Sequence, residues 1–202
     1  MVGEEDAGEL RSNAEICERM MQALQDVGWN RATEDVLTAI DRGVFAGGGS
    51  GRHWTLDPID GTKGFLRGDQ YAIALALIED GEVVLGILGC PNLSQNTSDP
   101  DKKGVIFVAV KGEGCTMYDL EGLNLGSVSV ATVDDISAAK FCESVEAAHS
   151  SHSDSAKIAE RLKITAAPYR IDSQCKYAAV ARGDAAIYLR LPTRPGLSLI
   201  HI

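Results

Sequence analysis

A proline set between two aspartates and followed by glycine and threonine is the strongest constraint in this chain: Asp57-Pro58-Ile59-Asp60-Gly61-Thr62. Proline fixes its own φ and biases the residue before it towards an extended shape. The preceding His53-Trp54-Thr55-Leu56 reads as a short strand, and Thr62 to Phe65 as a short helical segment. The stretch therefore predicts a strand, a tight stiff turn and a helix start. On such a turn the carboxylates of Asp57 and Asp60 can converge on a hard cation such as magnesium, which prefers oxygen ligands. The carbonyl of Ile59 lies between them as a further ligand. The helix start at Gly61-Thr62 offers N–H groups suited to phosphate. Two aspartates around a Pro-x pair also occur in plain capped turns. The full string, running out of an apolar strand, is far more specific.

Charge narrows what such a site can serve. The 202 residues carry a formal net charge of -10, which argues against a broad basic face for a nucleic acid polymer. A small anionic substrate remains compatible if a cation bridges it to the carboxylates. No run of about 18 apolar residues suggests a membrane span. Met1-Val2-Gly3-Glu4-Glu5-Asp6 is acidic, unlike a secretory signal or a transit peptide. The five cysteines, Cys17, Cys90, Cys115, Cys142 and Cys175, are widely spaced with no Cys-x-x-Cys, so neither a disulfide framework nor a zinc site is expected.

Periodicity predicts a helix over Glu9 to Val27 and a second one capped by Thr33 and running to about Ala39. Gly43 to Gly51 reads as a surface loop. Tyr71 to Ile78 and Val83 to Leu88 read as strands joined at Asp80-Gly81, where a tight hairpin needs positive φ. Asn92 to Lys103 reads as a polar loop. Val105 to Val110 and Cys115 to Tyr118 form a further hairpin around Gly112 and Gly114, followed by a strand over Ser127 to Ala131. Beyond Val133-Asp134-Asp135, strands at Lys140 to Val145, Tyr169 to Asp172 and Ala185 to Leu189 alternate with helices at Ser153 to Leu162 and Gln174 to Arg182. That alternation predicts an α/β unit. The boundary is expected near Ala131, giving a metal- and phosphate-binding domain over residues 1–131 and a second α/β domain over residues 132–202.

Asp57 to Thr62 resembles the signature of the inositol monophosphatase superfamily, the lithium-sensitive magnesium phosphatases. Gly3-Glu4-Glu5-Asp6 resembles the family's upstream motif, which implies that Glu4 is a metal ligand. The longer string Trp54 to Tyr71 is similar to the plant-type 3'(2'),5'-bisphosphate nucleotidases within that superfamily. Cys90-Pro91-Asn92-Leu93, Glu143 to Ser150, Arg170 to Tyr177, Arg182-Gly183-Asp184 and Ile187 to Arg190 fit the same branch. The resemblance covers roughly residues 1–192. It implies an α/β (α+β) fold, the layered α/β/α/β/α sandwich.

The resemblance also implies a reaction. Adenosine 3',5'-bisphosphate would lose its 3'-phosphate to give AMP, and 3'-phosphoadenylyl sulfate is a related substrate. Two or three Mg²⁺ ions would be held by Glu4, Asp57, Asp60 and the Ile59 carbonyl, with the Thr62 hydroxyl orienting the attacking water and Gly61 and Thr62 at the phosphate. Matching motifs put His149, Ser173, Lys176 and Arg190 in contact with the substrate. Lys176 and Arg190 suit the phosphate that is not cleaved. Read singly, His149 is an ordinary histidine, Lys176 a solvated helix charge and Arg190 a surface ion-pair partner. The motif context gives them a role, less firmly for His149, which His152 neighbours. A monomer acting on a small molecule is expected, with no membrane partner. Plant-type relatives occupy cytosol, plastid or mitochondrion.

The pattern departs from the family at both ends. A hydroxyl needs a carboxylate behind it to act as base. The family's upstream aspartate has no counterpart before Met1, and the downstream Trp-Asp has none after Arg190. Residues 194–202 look unrelated to the family. The chain is therefore expected to behave as an incomplete fragment with reduced or no activity. An inositol polyphosphate 1-phosphatase and a non-catalytic nucleotide-binding fragment stay open as alternatives.

Overall fold

The computed structural model describes residues 1–145 and 152–191. These residues pack as two compact units, one of residues 1–58 with 75–84 and the other of residues 59–74 with the described residues from 85 onwards.

In the first unit, strand β1 (Val2–Gly3) runs parallel to β2 (Arg52–Asp60), pairing Val2 with Thr55 and Gly3 with Leu56. Between them lie helices α1 (Gly8–Ser12), α2 (Ala14–Asp26) and α3 (Thr33–Asp41). The single helix predicted over Glu9 to Val27 is thus two. Asn13 is extended, with φ −127° and ψ 96°. Its side chain accepts the N–H of Ile16 at 3.2 Å, so it starts α2 while its own N–H closes α1 on the Glu9 carbonyl. An asparagine side chain competes well for helix-end N–H groups, and this overrides the apolar period. Thr33 does not cap α3. It lies inside the first turn, and Ala32 holds the cap position without a side-chain bond.

The Asp80-Gly81 hairpin forms as expected, with φ of 50° and 81°. It joins β3 (Ala72–Glu79) to β4 (Glu82–Asn96). β2 does not end at Leu56. It continues through Asp60, and the turn comes only at Gly61, whose φ of 85° is left-handed. Helix α4 (Thr62–Leu66) follows directly.

The second unit holds an antiparallel meander of β4, β5 (Asp99–Val110), β6 (Gly114–Tyr118) and β7 (Asn124–Val128). The predicted loop over Asn92 to Lys103 is instead the far end of the β4–β5 hairpin. Ser94 pairs with Lys103 and Asn96 with Asp99, across two register shifts. The last strand lies three residues earlier than predicted, because Val128 pairs with Cys115. A smaller parallel sheet follows, in the order β10 (Ile187–Tyr188), β8 (Phe141–Glu143), β9 (Tyr169–Arg170). It is connected through α5 (His152–Arg161) and α6 (Cys175–Ala181).

One core serves both sheets of this unit. Cys90, Leu93, Val105 and Phe107 of the meander bury against Cys142, Ile171, Cys175, Ala178 and Ala179. Gly183 allows the chain at 129–131 to close on α6, since a Cβ there would stand 3.2 Å from the Ala131 nitrogen. The meander therefore packs with the later α/β elements, and the limits of the two units do not fall near Ala131. A second cluster of Ala139, Phe141 and Ile164 fixes α5 against the parallel sheet.

Candidate active site

The C-terminal end of β2, helix α4 and the start of α6 surround a cavity of about 390 Å³ in the second unit. Its lining includes Asp60, Gly61, Thr62, Ser173, Lys176 and Arg190. Six residues singled out from the sequence therefore meet in one place. His149 lies outside the described residues.

Two left-handed backbones make the cavity floor. Gly61 has φ 85°, and Ser173, a non-glycine residue, has φ 62°. They approach so closely that a Cβ on Gly61 would lie 2.5 Å from the Ser173 Cβ. The Ser173 hydroxyl accepts the N–H of Cys175 at 3.2 Å. The Gln174 N–H donates to the Asp60 carboxylate, which ties the end of β2 to the start of α6. Gly64 permits a second close approach: a Cβ there would lie 2.2 Å from the Gln70 carbonyl and 3.2 Å from the Asp172 side chain. Asp172, 5% exposed, is held by the guanidinium of Arg67, which also bonds Asp69 at 2.9 Å.

Lys176 is 8% exposed. Burial pushes its pKa below the ordinary lysine value, while Asp60 pulls in the opposite direction. Its Nζ stands 5.9 Å from the centre of the Tyr188 ring. Tyr188 and Arg190 are two apart, and alternate residues of an extended segment share a face. Arg190 is exposed at the rim. The cavity lining thus includes a buried cation, an outer cation and the first turn of α4, whose N–H groups point out of the helix start, an arrangement suited to an anion.

Of the remaining predicted metal ligands, Glu4 and Asp57 belong to the first unit and Ile59 is the first residue of the second. The β1–β2 register, continued by one residue, brings Glu4 beside Asp57, and the Glu4 N–H donates to the Leu56 carbonyl at 3.2 Å. Asp57 and Asp60 do not share a tight turn. They lie three apart in an extended strand, where side chains alternate between faces. Glu4, Asp57, Asp60 and the Ile59 carbonyl are all hard oxygen donors, so their chemistry fits magnesium. Among the described residues, no group of three or more His, Cys, Asp or Glu side chains is gathered closely enough to hold a metal ion.

Sequence reasoning missed Tyr177, Tyr188, Asp172 and Gln174 as lining residues. The signal for Tyr188 was its two-residue spacing from Arg190. Tyr177 offered only its place next to Lys176.

Comparison with known proteins gives this geometry its context. Residues 11–196 match the inositol monophosphatase family. The chain belongs to that family. It is 47% identical over 208 residues to a 3'(2'),5'-bisphosphate nucleotidase of Schizosaccharomyces pombe, covering 96% of this chain and 59% of the relative. A 3'(2'),5'-bisphosphate nucleotidase of Oryza sativa is 49% identical, covering 95% of this chain and 58% of the relative. The chain thus spans about three-fifths of the length of these relatives. Among solved structures, Mycobacterium tuberculosis SuhB shares the fold with a TM-score of 0.53 at 21% identity, over 89% of this chain and 72% of that one. Thermotoga maritima IMPase TM1415 gives 0.52 at 24% identity, over 73% of this chain and 50% of that one. The mixed α/β architecture is therefore that of the inositol monophosphatase family.

Proposed function

We propose that this chain carries the substrate site of a magnesium-dependent 3'(2'),5'-bisphosphate nucleotidase, which removes the 3'-phosphate of adenosine 3',5'-bisphosphate to leave AMP. The observation that carries the reading is the cavity in which Gly61 and Thr62 meet Ser173, Lys176 and Arg190. Relatives at 47–49% identity bear that name, which supports the substrate class. His149 belongs to the same substrate-contacting set by motif.

In this reading Lys176 and Arg190 neutralise the phosphate that stays on the nucleotide. The Ser173 hydroxyl donates a hydrogen bond to the ligand while its oxygen keeps the Cys175 N–H. Gly61, free of a Cβ that would strike Ser173, lets the chain turn in a left-handed conformation into α4, whose first N–H groups face the phosphate. Thr62, exposed at the first turn of α4, orients the attacking water by hydrogen bonding. Glu4, Asp57, Asp60 and the Ile59 carbonyl would hold magnesium. When bound, such an ion lowers the pKa of water and stabilises charge on the phosphate oxygens.

The test is phosphate release by the purified chain, with magnesium or a chelator, from adenosine 3',5'-bisphosphate, 3'-phosphoadenylyl sulfate and inositol 1,4-bisphosphate. Release is expected to be reduced relative to a full-length relative, to depend on magnesium and to favour the nucleotides over the inositol ester. Preference for the inositol ester would transfer the reading to an inositol polyphosphate 1-phosphatase. The absence of a three-carboxylate cluster among the described residues favours a second reading, nucleotide binding without turnover. Binding with no phosphate release would select it.

A further inference from the structure

Tyr177 and Tyr188 stand in the wall of the α6 cavity with their rings edge to face, 5.3 Å between centroids and 79° between planes. The Tyr188 ring already carries Lys176 at 5.9 Å. Tyr177 is 53% exposed, although the residues after it on α6, Ala178 and Ala179, are buried in the core. Its ring is thus presented from an anchored helix and steadied along one edge. Burial does not explain why an aromatic residue occupies this position.

We propose that Tyr177 is the stacking platform for the base of a nucleoside phosphate, and so the residue that selects a nucleotide over a phosphate ester without an aromatic ring. The assignment rests on the phosphate-ester reading of the same cavity. Lys176 precedes Tyr177 directly, so charge recognition and the flat apolar surface lie on one helical turn, with Arg190 lining the same cavity. That combination matches a ligand with phosphate at one end and a planar π-system at the other. A polyhydroxylated ring offers the phosphate but no face to stack, and it would set hydroxyl groups against an aromatic surface that cannot bond them.

The experiment is calorimetric titration of the full chain, as wild type, Tyr177→Phe and Tyr177→Leu. The two ligands are adenosine 3',5'-bisphosphate and its abasic counterpart, ribose 3,5-bisphosphate. Removing one base–aromatic stack weakens binding roughly ten- to hundredfold, so Tyr177→Leu is expected to lose about that much for the nucleotide. It is expected to leave the abasic ligand unchanged, and Tyr177→Phe, which keeps the ring, to bind the nucleotide like wild type. Circular dichroism of each variant checks folding, which the phenylalanine variant preserves. Equal losses for both ligands in Tyr177→Leu, or none for the nucleotide, would overturn the platform. Wild-type chain that binds the abasic ligand as tightly as the nucleotide would overturn the platform while leaving the phosphate site intact. Wild-type chain that binds neither would overturn the phosphate reading and the platform with it.

Discussion

Gly61 and Ser173 press together with left-handed backbones on both sides, and a Cβ on Gly61 would come within 2.5 Å of the Ser173 Cβ. This contact holds the start of α4 against the start of α6. It also explains why a glycine must follow Asp60: no L side chain has room there, and none adopts φ near 85° without strain.

Gly61→Ala is therefore expected to destabilise the chain by about 2–4 kcal/mol, combining left-handed strain with overpacking. Urea denaturation measures this directly. Nucleotide binding should fall with it, since the alanine displaces the Ser173 backbone. A stability change within about 0.5 kcal/mol, the range of ordinary surface substitutions, would show that the two segments do not meet this way.

Lys176 gives a pH signature. Its folded-state pKa is lowered, chiefly by burial, so the folded chain binds this proton less tightly than the unfolded chain does. Stability then rises with pH from the lowered folded value up to the ordinary lysine value, and the gain is absent below that window. Melting temperatures taken from neutral to alkaline pH should show this slope in wild type and lack its Lys176 part in Lys176→Met. Replacing a buried charge by an apolar chain of similar volume is expected to be neutral or stabilising, by about 1–2 kcal/mol here. Anion binding should drop at least tenfold in the same variant, the usual scale for a lost charge-assisted hydrogen bond of about 1.5–3 kcal/mol.

Arg182 joins the end of β4 to the turn after α6. Its guanidinium pairs with Asp184 at 2.5 Å, both side chains being about one-tenth exposed, and donates to the Ser94 carbonyl at 2.6 Å. Arg182→Ala leaves Asp184 buried without this partner. A loss of about 3–5 kcal/mol is expected, read from the shift of the urea midpoint. A variant as stable as wild type would contradict the burial of this pair.

The cysteines separate by accessibility. Cys90, Cys142 and Cys175 are buried, while Cys17 and Cys115 are only partly buried. Burial also raises the thiol pKa of Cys142 to about 11, and the hydrogen bond with Cys175 together with burial lifts that of Cys90 well above the usual range. A thiol reagent at neutral pH is expected to label Cys17 and Cys115 in the folded chain and the other three only after denaturation, as followed by peptide mass spectrometry. Rapid native labelling of Cys90 would contradict the packing of its cluster.

Local chemistry made much of this molecule legible. Asp80-Gly81 forced its hairpin, Gly61-Thr62 its helix start, and the strand–helix alternation after residue 139 its parallel sheet. The segment Asn92 to Lys103 was not legible because its polar residues serve a hairpin. Ser94 donates to the Asp99 carbonyl at 3.1 Å and Asp99 N–H to the Asn96 side chain at 2.7 Å, and a sequence shows no sign of such pairing. The burial of Lys176 was hidden for a related reason. A lysine on a short helix reads as solvated, and its sequence neighbours give no sign that Cys142 Sγ meets its carbonyl at 3.8 Å or that Tyr188 stands 5.9 Å from its Nζ. The Asp57-Pro58-Ile59-Asp60 stretch was recognisable as a site, but not as the end of a strand: β2 pairs with β1 at Thr55 and Leu56 and stays extended through Asp60 before the chain turns at Gly61.

In the proposed function the α6 cavity takes a nucleoside bisphosphate through Lys176. Calorimetric titration of adenosine 3',5'-bisphosphate into the wild-type chain and into Lys176→Met, each with and without magnesium, tests it most directly. Saturable one-site binding is expected, tightening with magnesium and weakening at least tenfold in the variant through the loss of one charge-assisted contact. No saturable binding, or equal affinity in wild type and Lys176→Met, would contradict it.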